Sequence, residues 1–167
     1  MFLIALRDDI VYNDIPVAKL LIDNYSKYGS SIVGCQEVKA EDVSKYGIVK
    51  PTKNLDDKTV EMDDFIEKPA MEEAPSRLAC LGRYLLTPKI FEYLEKEKPG
   101  KGGEIQLTDA IVAMMKDGEK VLAYNFDGKR YDIGNKIGLL KANIEFGLRN
   151  EETRDDLIKY LKEELKI

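Results

Sequence analysis

Apolar and polar positions divide the chain into short apolar runs and longer stretches of helical spacing. Residues 1–6 are a continuous apolar run of the kind expected for a buried strand, ended by Arg7-Asp8-Asp9. Residues 16–27 carry Val17, Leu20, Leu21 and Tyr25 at helical spacing, with proline in the first turn and Gly29 placed to close the helix. Residues 31–37 form the next strand. Strand, helix and strand in this order predict the crossover unit of a doubly wound sheet.

Further on, residues 41–49 carry Tyr46-Gly47-Ile48-Val49, residues 51–58 read as a polar connection, and residues 60–66 predict a strand. That strand runs into Glu67-Lys68-Pro69. Residues 78–86 predict another strand, in which Gly82 marks a bulge or a close approach by another group. A short helix is expected over 88–97, a longer one over 107–116, and a strand over 121–125. A turn at Asp127-Gly128 precedes Lys129-Arg130-Tyr131-Asp132-Ile133-Gly134. The spacing then predicts amphipathic helices over 137–148 and 153–165, the second rich in alternating charge, as suits a solvent-facing helix. Gly100-Lys101-Gly102-Gly103 lacks the Gly-x-Gly-x-x-Gly spacing of a phosphate cradle and reads as a flexible loop.

Composition narrows what such a fold can do. The 167 residues suffice for an ordinary domain core, with 44% apolar residues to fill it. A net charge of -5, without a Lys/Arg block, argues against nucleic acid as a partner. No run approaches the roughly 18 apolar residues of a membrane-spanning helix, and no signal-peptide pattern opens the chain, so a cytoplasmic location off the membrane is expected. Cys35 and Cys80 both lie in apolar runs and read as reduced, buried thiols. Histidine is absent, which removes imidazole acid/base chemistry, histidine triads and histidine metal sites. A metal here would be a hard ion on carboxylates, magnesium above all.

Two places offer such chemistry. Proline after Lys68 is expected to keep that residue extended, which would put the Glu67 and Lys68 side chains on opposite faces at a strand end. A carboxylate there can accept from sugar hydroxyls, and an ammonium can neutralise a phosphate; a solvated charge pair is the plain alternative. Asp8-Asp9, directly after a strand, and Asp132, before Gly134, are candidate magnesium ligands. Their alternatives are solvated loop aspartates for the first and a helix cap for the second. The nine tyrosines are scattered as packing residues rather than gathered as a stacking platform.

Taken in order, Leu6-Arg7-Asp8-Asp9-Ile10, Tyr46-Gly47-Ile48-Val49, Ile66-Glu67-Lys68-Pro69, Leu81-Gly82-Arg83-Tyr84, Gly103-Glu104-Ile105-Gln106-Leu107-Thr108-Asp109 and Lys129-Arg130-Tyr131-Asp132-Ile133-Gly134 resemble the bacterial UTP-glucose-1-phosphate uridylyltransferases, a family of sugar nucleotidyltransferases. The resemblance implies an α/β fold with a Rossmann-like, mixed, mostly parallel sheet. It implies Asp8 and Asp132 as ligands of magnesium, the expected cofactor, and Asp8, Lys68 and Asp132 as catalytic groups. Glu67 would accept from glucose hydroxyls, Lys68 would meet the phosphate, and Gly47 and Gly82 would let backbone approach the sugar. The implied partners are glucose 1-phosphate and UTP or UDP-glucose, in a homo-oligomer.

The resemblance departs from the family in two respects. The family's glycine-rich, triphosphate-binding loop has no counterpart here, so the sheet is expected to be incomplete at its N-terminal half, and the chain to be inactive alone. Arg7 replaces the family's glycine before the acidic pair, and its guanidinium is expected to compete for Asp8. The expected organisation is a sugar-phosphate and metal-binding portion over 1–134 and C-terminal helices over 135–167. A non-catalytic binding or oligomerisation module of the same fold is the alternative function.

Overall fold

The structure, a computed structural model, describes residues 1–100 and 103–166; Lys101 and Gly102 of the expected flexible loop lie outside them. The chain forms two compact units, one of residues 1–6 and 13–128, the other of residues 7–12 and 129–167. Among the described residues no helix is long and apolar enough to cross a membrane.

The first unit is a six-stranded sheet with helices. Its strands are β1 (Phe2–Ala5), β3 (Ser31–Glu37), β4 (Gly47–Asn54), β5 (Thr59–Glu67), β6 (Leu78–Leu86) and β7 (Val121–Asn125), in the order β1-β6-β3-β7-β5-β4, with β4 also pairing β6. Both β1 and β3 oppose β6, β7 is parallel to β3, β5 opposes β7, and β4 opposes β5. Thus β1, β3, β4 and β7 run one way and β5 and β6 run against them. The sheet is mixed, and most of its strands share a direction. The reversed strands are interleaved, however, so β3 and β7 are the parallel neighbours and the other pairings are antiparallel. The expected crossover is present in split form: within this unit β1, helix α1 (Val17–Tyr28) and β3 come in that order, residues 7–12 of the other unit intervening in the chain, with β6 inserted between the two strands.

Sequence accounts for most of these elements. α1 buries Val17 and Leu21, and it ends where Gly29 takes a left-handed conformation (φ 68°) and donates its N–H to the Tyr25 carbonyl. β3 is buried from Ser31 to Cys35 because β6 and β7 flank it. Val33 and Cys35 face a core shared with Phe65 of β5, Ile90 of the short helix α2 (Ile90–Leu94), and Ile111 and Met114 of α3 (Leu107–Lys116). Ile32, one residue out of step, points to the other face, with Leu85 and Leu122 beside it in register; α1 packs on β3 and β6.

Three local expectations change. β1 is a half-buried edge strand, with Leu3 exposed, because β6 pairs it on one side only. Residues 51–54, expected as a connection, continue β4 through a register irregularity at Pro51, which accommodates a residue without an N–H. The helix expected over 88–97 is shorter.

The second unit is a two-stranded ribbon and two helices. β2 (Asp9–Tyr12), which periodicity does not predict, pairs antiparallel with β8 (Lys129–Asp132). α4 (Lys136–Arg149) and α5 (Arg154–Leu165) follow, close to the expected ranges. Tyr131 of β8 is buried, and its hydroxyl donates to Glu145 of α4 at 2.7 Å, tying the ribbon to the helix.

Candidate functional site

In the first unit, the candidate site grows from one row across four strands. Cys35 of β3 is in register with Cys80 of β6, Cys80 with Gly47 of β4, and Gly47 with Glu67 of β5. Residues directly opposite in a ladder share a face. Gly47 has no side chain, and its place is taken: a Cβ there would lie 2.6 Å from Phe65 Cε2 and 3.0 Å from Glu67 Oε2. Gly47 therefore makes room for the Glu67 carboxylate and the ring beneath it.

Lys68 does not stay extended. It takes φ 46°, a left-handed conformation unusual for a residue with a side chain, while its N–H donates to the Tyr46 carbonyl at 3.0 Å. This ends the strand's alternation, and the ammonium lies 3.6 Å from Glu67 Oε1. Glu67 and Lys68 thus act on the same side, a correction to the opposite faces expected from the proline rule. The hydrogen bond to Tyr46 holds Lys68 in a conformation that proline alone would disfavour. Such strain in a non-glycine residue costs on the order of 1 kcal/mol and collects at ligand sites.

Gly82 takes the same left-handed conformation, with φ 64°, which glycine adopts without strain, and its missing Cβ would lie 2.9 Å from Leu6 Cβ. The group that approaches it is Leu6, whose N–H donates to the Gly82 carbonyl at 2.9 Å. The ladder from Gly34–Arg83 to Cys35–Cys80 skips Leu81 and Gly82, so Gly82 sits in a bulge. Of the residues implied as sugar-binding, Gly47, Glu67 and Lys68 are brought together; Gly82 lies in the bulge of β6, against Leu6. Burial, together with Cys80 and Glu67 nearby, pushes the Tyr84 hydroxyl well above the usual phenol range.

The second unit holds the candidate metal ligands. Asp9 and Asp132 face each other across the ribbon, an unfavourable placement for two carboxylates. Arg130 lies two residues before Asp132 on the same face, and its guanidinium Nε donates diagonally to Asp9 Oδ1. Burial pushes the Asp9 carboxyl up, Arg130 pulls it down, and Asp8 and Asp132 push it up again. The guanidinium engaged with the acidic pair is therefore that of Arg130; Arg7 and Asp8 are exposed.

Asp132 is not the cap of α4. Asn135 is, its side chain accepting from the Gly138 N–H at 2.7 Å, while Asp132 Oδ1 accepts from the Gly134 N–H at 3.0 Å. A Cβ on Gly134 would lie 3.2 Å from Asp132 Oδ1 and 3.5 Å from Asp8 Cβ, so the two acids flank a glycine that keeps the space between them open. Among the described residues no group of three or more His, Cys, Asp or Glu side chains converges on a metal centre. What the chain offers a cation is two carboxylates, a donor set that suits magnesium, which keeps several waters and takes further oxygens from phosphates.

A cavity of about 710 Å³ in the first unit contains none of the expected site residues. Most of its charges are paired: Arg77 with Glu37, Lys58 with Asp127, and Asp56 with Lys27. Burial pushes the Asp56 carboxyl up, but hydrogen bonds from Lys27, Tyr28 and the Lys58 backbone outweigh it and hold the group below the usual carboxylate range. Sequence reasoning missed Arg130 as the partner of Asp9 and Tyr84 and Cys80 as neighbours of Glu67. The alternation of Arg130 and Asp132 in one motif was the signal for the first; the bulge hid the second.

The sequence profile of the family described as Nucleotidyl transferase matches residues 2–147, and the chain belongs to that family. It is similar to UTP--glucose-1-phosphate uridylyltransferases: 47% identical over 162 residues to that of Staphylococcus haemolyticus (strain JCSC1435), covering 97% of this chain and 56% of the relative. To uridylyltransferase 2 of Staphylococcus saprophyticus subsp. saprophyticus it is 45% identical over 161 residues, covering 96% and 55%. A crystal structure of UDP-glucose pyrophosphorylase complexed with UDP-glucose matches with a TM-score of 0.83 at 43% identity, over 89% of this chain and 56% of that one. A UTP-bound UGPase from Acinetobacter baumannii matches with a TM-score of 0.81 at 32% identity, over 96% and 55%. The chain spans about half the length of the curated relatives it matches.

Proposed function

We propose that this chain supplies the sugar-phosphate and cation side of a UTP-glucose-1-phosphate uridylyltransferase, in which UTP and glucose 1-phosphate become UDP-glucose and pyrophosphate. The observation that carries this reading is the Gly47–Glu67–Lys68 arrangement. A carboxylate seated in the space left by a glycine, with an ammonium 3.6 Å away, presents an acceptor to sugar hydroxyls and a positive charge to the phosphate on the same side. Lys68 steadies the sugar phosphate while its oxygen attacks the α-phosphorus of UTP in line and pyrophosphate leaves. The chain's contribution is position and charge, without a covalent nucleophile. Asp8 and Asp132 would hold magnesium, which neutralises phosphate charge when bound. The relatives' names support the substrates, while paired carboxylates around Gly134 support the cation. Ile137, Leu140 and Ile144, an exposed apolar stripe on α4, support a homo-oligomer, and free cysteines support a cytoplasmic setting.

Calorimetric titration of the chain with UDP-glucose in the presence of magnesium tests the reading. Glu67→Ala and Lys68→Ala are expected to weaken binding by about 10- to 150-fold each, the loss of a hydrogen bond to a charged group, with thermal unfolding nearly unchanged. Unchanged affinity in both variants would overturn it. A pyrophosphate-release assay on the chain alone is expected to stay at background; turnover of roughly 1 to 1000 per second would mean that the chain carries the triphosphate site as well.

A further inference from the structure

The row that seats Glu67 begins with two thiols. Cys35 and Cys80 are Cα partners on adjacent antiparallel strands, both free, on the same face of the sheet. Cross-strand partners have Cα atoms about 4.5 to 5.5 Å apart, inside the roughly 4.4 to 6.8 Å that a disulfide spans. The two positions are not equivalent. Cys35 is 0% exposed and Cys80 6%, with Gly47 as Cys80's neighbour on the side away from Cys35.

The surroundings of the two sulfurs differ as well: Cys35, Tyr84 and the Gly82–Arg83 backbone at the bulge favour the charged form of Cys80. Burial pushes both thiols up, and Cys35 stays well above the usual thiol range, while the groups around Cys80 bring it down. Tyr84 in turn feels the charge of Glu67.

We propose that Cys35 and Cys80 form a reversible oxidation site, with Cys80 the residue attacked by a hydroperoxide and Cys35 the resolving cysteine, and that the resulting disulfide weakens the hold of Glu67 on a sugar phosphate. The chemistry balances with hydrogen peroxide as oxidant. The Cys80 sulfur takes one peroxide oxygen, giving a sulfenic acid as the O–O bond breaks and water leaves. The Cys35 sulfur then attacks the sulfenic sulfur, the S–S bond forms, and a second water leaves. Two thiols lose two electrons and two protons, and the peroxide takes both. A disulfide draws the Cys80 sulfur toward β3 and away from Gly47, the position that separates it from Glu67 in the row. The effect on ligand binding rests on the function proposed above; the oxidation site does not.

The test is made on the chain as it is. After graded hydrogen peroxide, denaturation and alkylation, peptide mapping is expected to show a Cys35–Cys80 linked peptide, no alkylated thiol, and full reversal by dithiothreitol. In Cys35→Ser, a sulfenic acid trapped by dimedone is expected at Cys80. Retention of two alkylatable thiols, sulfinic acid without a disulfide, or disulfides only between chains would overturn the proposal. Oxidised chain is expected to bind UDP-glucose at least about tenfold more weakly than reduced chain, on the scale of one hydrogen bond to a charged group. Equal affinities with the disulfide formed would overturn the coupling to Glu67. If reduced chain binds no UDP-glucose, the functional reading fails, while the peptide map still decides the oxidation site.

Discussion

In the first unit, Glu67 and Lys68 are neighbours in sequence, their charges 3.6 Å apart, with the lysine side chain 54% and the glutamate 24% exposed. In the second, Arg130 reaches across a two-stranded ribbon to Asp9, and the paired side chains are only 16% and 10% exposed. An exposed pair contributes about 0 to 1 kcal/mol to folding and leaves lone pairs and N–H groups free for a ligand. A buried pair uses its hydrogen-bonding capacity internally, and removing one partner strands a charge. The first pair is therefore built for binding and the second for holding the ribbon together, although both join a carboxylate to a cation at a strand end. Asp8 and Asp132 lie beside the buried pair and remain the carboxylates that can turn outward to a cation.

The sharpest way to break this contrast is Arg130→Ala. It should cost about 3 to 5 kcal/mol, read from urea unfolding, because Asp9 is left buried and facing Asp132. A cost near that of Lys68→Ala, within about 1 kcal/mol, would make the two pairs alike. Next in size is Gly47→Ala. Its new Cβ must displace the Phe65 ring and the Glu67 carboxylate, so a loss of about 1 to 3 kcal/mol is expected, with weaker UDP-glucose binding in whatever protein remains folded.

Lys68→Gly should do the opposite to stability. Glycine adopts the left-handed conformation without strain, so the variant should gain up to about 1 kcal/mol, less what a flexible unfolded chain costs, while losing affinity for the phosphate. A residue kept at some expense to folding is what a ligand contact predicts; destabilisation by Lys68→Gly would make the contact structural.

The smallest effect is set by pH. Hydrogen bonds from Lys129, Tyr131 and Arg149 hold the Glu145 carboxyl down at about 2, against an ordinary 4.5. A depressed carboxyl stabilises the fold above its unfolded value, and that contribution is lost as pH falls from about 4.5 towards about 2. Asp9, whose carboxyl is raised, acts in the opposite sense: the folded state holds its proton more tightly, and that contribution is lost as pH rises. Chemical unfolding of the parent and Glu145→Gln should therefore converge as pH drops through this window. Parallel curves would show that Glu145 is not tied to the ribbon.

Local pattern alone determined the helices and most strands, since burial of one face imposes a period of 3.6 or 2 that can be read without a partner: α1, α3, α4, α5, β3, β5, β6 and β7 all lie close to their expected positions. The ordered motifs determined the family, and with it the residues to inspect. Tertiary structure decided what a one-dimensional pattern cannot carry. β2 exists because β8 pairs with it, and β1 is exposed because one neighbour pairs it rather than two. Lys68 turns left-handed against the preference imposed by Pro69, because its N–H finds the Tyr46 carbonyl. Asp9 is committed to Arg130, and Asp8 is brought beside Gly134, by residues more than a hundred positions away in the chain. Cys35, Cys80, Gly47 and Glu67 form one row only after four strands are in register, because hydrogen bonding between strands, and not spacing along any one of them, sets which side chains meet.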